Sequence, residues 1–215
     1  MIVAYILQPA TERFSLGDIT MQRLSTFILL AAALLFVAPL SQATPYTFVA
    51  SLAGANESPP VVSPGIGFAT VLLDTSTHLM QVIVNFSGLT TGNTAAHIHC
   101  CIPVGGNAGV ATTTPTFTGF PSGVTSGSYD RVFDLTLASS YNPAFVTANG
   151  GVAGAQAALI AGLLAGQAYF NIHTSQNPTG EIRGFLTLVV PEPDTLLLLG
   201  IGFAGLALAR RRSSH

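Results

Sequence analysis

The 215-residue chain contains no lysine and no tryptophan, and only 7% of its residues are charged. Because an average soluble domain has about 25% charged residues, the surface polarity here must come mainly from Ser, Thr, Asn and Gln. Residues 44–190 contain two arginines and five acidic residues. A domain of this composition lacks the basic patch that attracts a phosphate backbone, so we expect no nucleic acid partner.

Nucleophile motifs are missing as well. The sequence has no Gly-x-Ser-x-Gly segment, and a general base such as Glu181 needs both a nucleophile and a pocket before it can act. The sequence therefore favours a protein without enzymatic activity. Only two cysteines occur, but a domain of about 150 residues buries roughly 70% of its surface, so folding requires neither a disulfide nor a metal.

The N-terminal part has the organisation of a signal peptide. A basic start at Met21-Gln22-Arg23 is followed by an apolar run over residues 24–40 and by small residues before a cleavage site. We predict a signal helix in residues 21–43 with cleavage after Ala43. Residues 1–20 add nothing that export needs, and we interpret them as an over-extended start. The alternative is a retained N-terminal membrane anchor.

The C-terminal part carries a second apolar segment. Residues 195–209 are uncharged, and as a helix they would span about 22 Å, which is short of a bilayer core of about 30 Å. Arg210, Arg211 and Arg212 follow, and they would hold that end in the cytoplasm with the globular part outside. The segment is preceded by Pro191, Glu192 and Pro193.

This V-P-E-P sequence, the glycine-containing apolar helix and the arginine cluster resemble the PEP-CTERM sorting signal. The resemblance covers residues 190–215, with its motif in 190–212. It implies a Gram-negative bacterium, transient anchoring in the inner membrane, cleavage by an exosortase-type membrane protease, and then release or transfer to the cell surface. The alternative is a permanent tail anchor, which has no need of a Pro-Glu-Pro triplet.

Between the two ends the pattern is that of β-structure. Short apolar runs with period-two alternation are separated by Gly, Pro, Asn and Ser clusters, which predicts an all-β antiparallel sandwich over residues 44–189. One Ala- and Leu-rich segment, residues 152–165, predicts a short helix packed over an end of the sandwich. Residues 103–128 predict a long surface loop. The predicted strands are 46–52, 67–73, 79–86, 95–101, 131–137, 167–173 and 181–189.

Three histidines are the main candidates for chemistry. His97 and His99 are two apart on a predicted strand and therefore share a face, and His173 ends another predicted strand. A turn after His173 would return Glu181 and Arg183 to its side. Three neutral imidazoles, with or without a carboxylate, can bind zinc or copper. The alternative is a hydrogen-bonded polar cluster of all five side chains, with Glu181 paired to Arg183 or to the histidines.

The two cysteines, Cys100 and Cys101, are adjacent. Across a trans peptide their Cα atoms would lie 3.80 Å apart, below the usual limit of about 4.4 Å for a disulfide, so such a bond would be strained. Two further options are a bridge to another chain and a soft metal ligand from Cys101, which would share the face of His97 and His99. The fourth option is a pair of buried small side chains.

Five motifs in the middle segment together resemble the CHRD domain, named from chordin. They are F-V-A-S-L (48–52), N-E-S-P-P (56–60), A-A-H-I-H (95–99), Y-F-N-I-H-T (169–174) and G-E-I-R-G (180–184). The resemblance implies an all-β fold and an extracellular setting, and it implies no reaction.

Two functions are consistent with these features. The first is a non-catalytic binding or structural module of the cell envelope or extracellular matrix, whose polar loops contact polysaccharide or another protein. The second is an extracellular zinc or copper protein, with or without redox activity. Its sandwich would be like that of copper–zinc superoxide dismutase, which is an architectural analogy only.

Overall fold

The computed structural model describes residues 45–190 and 199–203 of the chain. The predicted signal peptide, the cleavage site after Ala43, the over-extended start, Pro191, Glu192, Pro193 and the three C-terminal arginines lie outside the described residues. Of the predicted helix over 195–209, residues 199–203 are described, and they are helical. Within the described ranges, no helix has the length and apolarity needed to cross a membrane.

Residues 45–190 form an antiparallel sheet whose described strands follow the order β4-β6-β7-β1-β2-β3-β5, with β8 also paired to β1. This confirms the all-β antiparallel prediction. The strands are β1 (Tyr46–Ala53), β2 (Ile66–Asp74), β3 (Leu79–Ser87), β4 (Asn93–Cys100), β5 (Gly127–Asp134), β6 (Ala168–Thr174), β7 (Ile182–Phe185) and β8 (Thr187–Val189).

The sheet curls around one hydrophobic core in the manner of a sandwich. Phe117 shows this, because its ring lies 5.1 Å from that of Phe133 on β5 and 5.9 Å from that of Phe170 on β6. These strands stand near opposite ends of the sheet order. The curling therefore buries the apolar face of every major strand against the others.

Two predicted strands differ in extent from the observed ones. The strand expected over 131–137 is β5, which ends at Asp134 because the Asp134 carboxylate accepts from the backbone N–H of Thr136 and closes a turn. The strand expected over 181–189 is interrupted at Leu186, whose N–H donates to Ala168 O. The interruption separates β7, which pairs with β6, from β8, which pairs with β1.

Residues 45–190 have two α-helices where the sequence predicted one. The predicted helix is α2 (Val152–Leu164), which lies against β4, β6 and β8. The additional helix, α1 (Pro143–Ala148), is short. Its sequence signal is local, since the Asn142 side chain accepts from the N–H of Ala144 and proline occupies the first turn.

The segment between β4 and β5 differs most from expectation. It was predicted as a surface loop, but Ala111, Phe117 and Phe120 are buried in the core. Its side chains satisfy the β4 backbone where it crosses that strand: Thr112 Oγ1 accepts from the Ile98 N–H at 2.9 Å, and Thr116 Oγ1 accepts from the Ala96 N–H at 2.9 Å. Residues 103–126 form no helix or extended strand, as a loop prediction requires, but composition does not show where two phenylalanines will be inserted into the core. The segment instead covers the sheet at β4.

Candidate metal centre

One face of the β4-β6-β7 part of the sheet is polar although it is covered. Alternation along each strand puts Ile98, Phe170 and Ile182 in the hydrophobic core. The side chains on the other face of these strands lie in one layer because four pairs of residues face each other across the strands. These pairs are His97 with Asn171, His99 with Tyr169, Ala95 with His173, and Asn171 with Arg183. The histidines expected to share a face with each other are therefore neighbours.

The three histidines expected to come together do so. Their ring centroids are 5.8 Å apart for His97 and His99, 5.3 Å for His97 and His173, and 5.7 Å for His99 and His173. One ring nitrogen of each lies within 4.8 Å of the other two. His97 and His99 are buried, and His173 is half-buried.

Each histidine donates one ring N–H to a backbone carbonyl. His97 Nε2 lies 2.6 Å from Pro115 O, His99 Nδ1 lies 2.9 Å from Ala108 O, and His173 Nδ1 lies 3.0 Å from Pro178 O. Because a carbonyl can only accept, these bonds fix the tautomer and leave a lone pair on the opposite nitrogen of each neutral ring. Those opposite nitrogens are buried and have no hydrogen-bond partner among the described residues.

Burial also keeps the rings uncharged. Desolvation lowers the pKa of His97 to about 4, although the hydrogen bond to Pro115 O opposes it. Desolvation likewise lowers the pKa of His99 to about 4, against the hydrogen bond to Ala108 O. The pKa of His173 is also lowered by burial. At neutral pH all three imidazoles therefore present lone pairs, as a metal ligand must.

Three imidazoles are suitable ligands for a transition metal, but their nitrogens would have to move closer together to bind one ion. Tetrahedral coordination at 2.0 to 2.1 Å places two ligand nitrogens about 3.3 Å apart. The histidine nitrogens, which lie up to 4.8 Å apart, would have to approach each other by up to about 1.5 Å. Neither Glu181 nor Arg183 belongs to this ligand group, which in the described residues consists of histidine alone.

The partner expected for Glu181 is wrong. Its carboxylate is fully buried and accepts from Ser63 Oγ at 2.6 Å, Thr174 Oγ1 at 2.6 Å, and Thr90 N and Oγ1 at 2.7 Å. Burial alone would raise the pKa of Glu181, but these hydrogen bonds outweigh it and hold the pKa below its usual value. The reason is the turn after His173, which points Glu181 toward the Ser and Thr donors and away from Arg183.

Arg183 pairs instead with Glu57, a residue that the sequence had placed only within a family motif. Arg183 Nε lies 3.7 Å from Glu57 Oε2, and the guanidinium donates to Asn56 O at 2.5 Å and to Asn107 Oδ1 at 2.7 Å. It also covers the Tyr169 ring at 4.8 Å. Burial raises the pKa of Glu57 to about 7, although the positive charge of Arg183 lowers it in part.

A cavity of about 490 Å³ adjoins the histidine cluster at His99. Its walls include Glu57, Asn107, Tyr169 and Asn171. Sequence reasoning missed this site, although the alternation of Tyr169, Asn171 and His173 on one strand was a signal for part of it. Glu57 had no such signal, because it reaches the site through a turn far away in sequence.

The cysteines form a disulfide with each other. The peptide between Cys100 and Cys101 is cis and their Cα atoms are 3.2 Å apart, whereas the distance of about 3.80 Å considered in the sequence analysis applies to a trans peptide. A Cβ on Gly162 would collide with both sulfur atoms, which shows how closely α2 approaches them. Of the four options, the structure has the bond between the two neighbouring cysteines.

Fold and site together define an all-β module with a covered histidine cluster. The CHRD domain model matches residues 48–186, and the model of the PEP-CTERM protein-sorting motif matches residues 189–212. The chain therefore belongs to the CHRD domain family and carries a PEP-CTERM sorting motif, which confirms both resemblances. The motif marks a protein that is exported, processed by an exosortase membrane protein and sorted to the cell surface in Gram-negative bacteria. Comparison with curated proteins and with solved structures gives no match.

Proposed function

We propose that this surface-sorted CHRD domain binds one zinc or copper ion through His97, His99 and His173. The observation that carries the proposal is the set of three buried ring nitrogens without a hydrogen-bond partner in the described residues. The arrangement resembles known metal sites, in which the second nitrogen of a ligating histidine donates to a carbonyl or carboxylate and so orients the ring.

The competing interpretation is a purely structural polar cluster. A structural cluster gains stability by satisfying its buried polar atoms, because an unsatisfied buried acceptor costs about 1 to 3 kcal/mol. Here each ring uses only one of its two nitrogens. A bound cation would use the three remaining lone pairs at once, and this favours the metal site over the structural cluster.

Metal titration of the mature exported protein tests the proposal. We expect one equivalent of Zn²⁺ or Cu²⁺ per chain after chelator treatment, measured by calorimetry and by elemental analysis. His97→Ala, His99→Ala and His173→Ala should each weaken binding by at least about 100-fold, since each removes a ligand.

His78→Ala is the matched control. His78 lies in the turn between β2 and β3, where its Nδ1 is 2.8 Å from Gln156 Nε2, outside the cluster. Its substitution should leave the affinity unchanged. The proposal fails if the folded wild-type protein, checked by circular dichroism, takes up no stoichiometric metal, or if the control loses as much affinity as the cluster variants.

The domain layout is part of the same proposal. We infer that residues 21–43 are removed as a signal peptide, that residues 44–189 form the CHRD domain, and that residues 190–215 are the sorting tail. Mass spectrometry of the exported protein should give an N-terminus at Thr44, and peptides from residues 24–40 would contradict it.

A second candidate function is binding of extracellular polysaccharide or another protein. The cavity beside His99 favours polysaccharide binding, because a small sugar unit fits into a concave site better than onto a flat surface.

A further inference from the structure

The cavity beside the histidine cluster contains two buried oxygen atoms that no described residue satisfies. Glu57 is 8% exposed and Asn171 is 2% exposed, and both side chains line the cavity. Glu57 Oε1 and Asn171 Oδ1 have no hydrogen-bond partner in the part of the chain that the structure describes. Because buried polar atoms are almost always satisfied, this pair indicates a site that takes a hydrogen-bonding ligand.

The charges around the cavity favour a neutral ligand. Glu57 Oε2 lies 3.7 Å from Arg183 Nε, so the carboxylate and the guanidinium form an internal pair. The Arg183 guanidinium also donates to Asn107 Oδ1 and to the Asn56 and Gly106 carbonyls. A cationic ligand would be repelled by Arg183 and an anionic one by Glu57.

The rest of the cavity lining is mixed, with polar Ser58 and Thr179 beside apolar residues. Pro59, Pro60 and Val61 contribute apolar surface to it. The volume of about 490 Å³ is within the range of small-molecule sites. A ligand that suits this mixed lining presents both hydroxyl groups and carbon–hydrogen surface.

We propose that this cavity binds a neutral molecule with several hydroxyl groups, such as one sugar unit of a glycan, whose hydroxyls hydrogen-bond to Glu57 Oε1 and the Asn171 amide. A hydroxyl both donates and accepts, so it suits either orientation of the amide and either protonation state of the carboxyl group. The inference deepens the polysaccharide-binding candidate above and does not depend on metal binding.

Nuclear magnetic resonance of the isotope-labelled mature protein tests the inference, with glucose, galactose and mannose as neutral probes. Glucosamine and glucuronate serve as cationic and anionic comparators. We expect at least one neutral sugar to shift the signals of the Asn171 amide group, Asn107 and Gly180 in a saturable manner. The charged comparators should bind more weakly than the corresponding neutral sugar.

Variants assign the contacts. Glu57→Gln keeps the size of the side chain and a group that can hydrogen-bond to a hydroxyl, so it should change sugar binding little. Asn171→Ala removes the amide and should weaken sugar binding about tenfold, the loss of one hydrogen bond. Asn85→Ala is the matched control, because Asn85 is an exposed asparagine on β3 outside this cavity. It should leave the affinity unchanged.

The outcomes separate the two proposals. Absence of shifts with every neutral sugar, shifts confined to another surface, or tighter binding of a charged comparator would each overturn the sugar site. Repeating the titration with chelator-treated protein should give the same shifts. If zinc uptake fails while sugar shifts persist, only the metal proposal is wrong, and the reverse result removes only the sugar site.

Discussion

Two buried carboxylates in the same domain have opposite environments. Glu181 accepts four hydrogen bonds from Ser63, Thr90 and Thr174, and its pKa is lowered. Glu57 faces Arg183 with one oxygen, has no partner in the described chain for the other, and has a pKa raised by burial to about 7. The direction of each pKa shift therefore depends on how many hydrogen-bond donors reach the carboxylate, and not on its burial alone.

The difference separates a structural site from a binding site. The donors around Glu181 come from three separate segments of the chain, so its carboxylate ties these segments together. The free oxygen of Glu57 faces a cavity instead. A satisfied carboxylate stabilises the fold, whereas an unsatisfied one at a cavity remains available to a ligand.

The largest expected effect is on stability, from Glu181→Gln. The change places an amide NH₂ among donors and removes the charge that they stabilise, so we expect the free energy of unfolding to fall by about 3 kcal/mol. Chemical denaturation at neutral pH measures it. Glu57→Gln is the comparison variant. It removes the carboxylate 3.7 Å from Arg183 Nε, but the guanidinium keeps its hydrogen bonds to Asn56 O, Gly106 O and Asn107 Oδ1, so we expect a smaller loss than for Glu181→Gln. Equal losses in the two variants would contradict the distinction.

An intermediate effect is expected from Gly180→Ala, next to Glu181. Gly180 has φ of +133°, and a Cβ there would lie 2.5 Å from Asn171 Nδ2 and 2.7 Å from Glu57 Oε1. We expect a loss of about 2 kcal/mol in unfolding free energy. Gly150→Ala is the control, because Gly150 also has positive φ but a Cβ would meet nothing within 4 Å. We expect Gly150→Ala to lower the free energy of unfolding by about 1 kcal/mol. A larger loss for Gly150→Ala than for Gly180→Ala would show that the contacts at the cavity do not determine the effect.

The smallest effect is a pH dependence of opposite sign for the two carboxylates. Between about 4.5 and about 7 the folded state holds the Glu57 proton more tightly than the unfolded state does, so its contribution to stability falls as pH rises. Glu57→Gln should therefore gain stability relative to wild type across that window. For Glu181 the folded pKa is lowered, so wild type should lose its advantage over Glu181→Gln as pH falls below 4.5.

Denaturation series at several pH values measure both differences in one experiment. The two carboxylates are the matched pair, and His97 and His99 are common to all the proteins, so their own titration cancels in the comparison. Differences of the same sign for the two variants would show that the protonation states assigned to Glu57 and Glu181 are wrong.

Local features of this protein could be predicted from its sequence. Strands β1, β2, β3 and β6 lie within one residue of their predicted bounds at each end, because alternation of apolar and polar residues reflects the burial of one sheet face. The shared face of His97 and His99 follows from the same period. The interruption at Leu186 and the burial of Phe117 could not be predicted, because both depend on contacts with distant strands.

The candidate site was predictable only in part, for the same reason. Residue spacing indicated the histidines, and a turn after His173 indicated that Glu181 and Arg183 would lie near them. The choice of partners depended on segments more than 100 positions away: Ser63 donates to Glu181 and Asn56 accepts from Arg183.

The sequence by itself determined the family, the sorting motif, the β-sheet class and the pairing of two histidines on one face, since each of these is written in adjacent or regularly spaced residues. Only the tertiary structure decided that the segment after β4 covers the histidine cluster and that Glu57 rather than Glu181 meets Arg183. The physical reason is that these contacts form when the sheet curls and brings remote segments over one polar face.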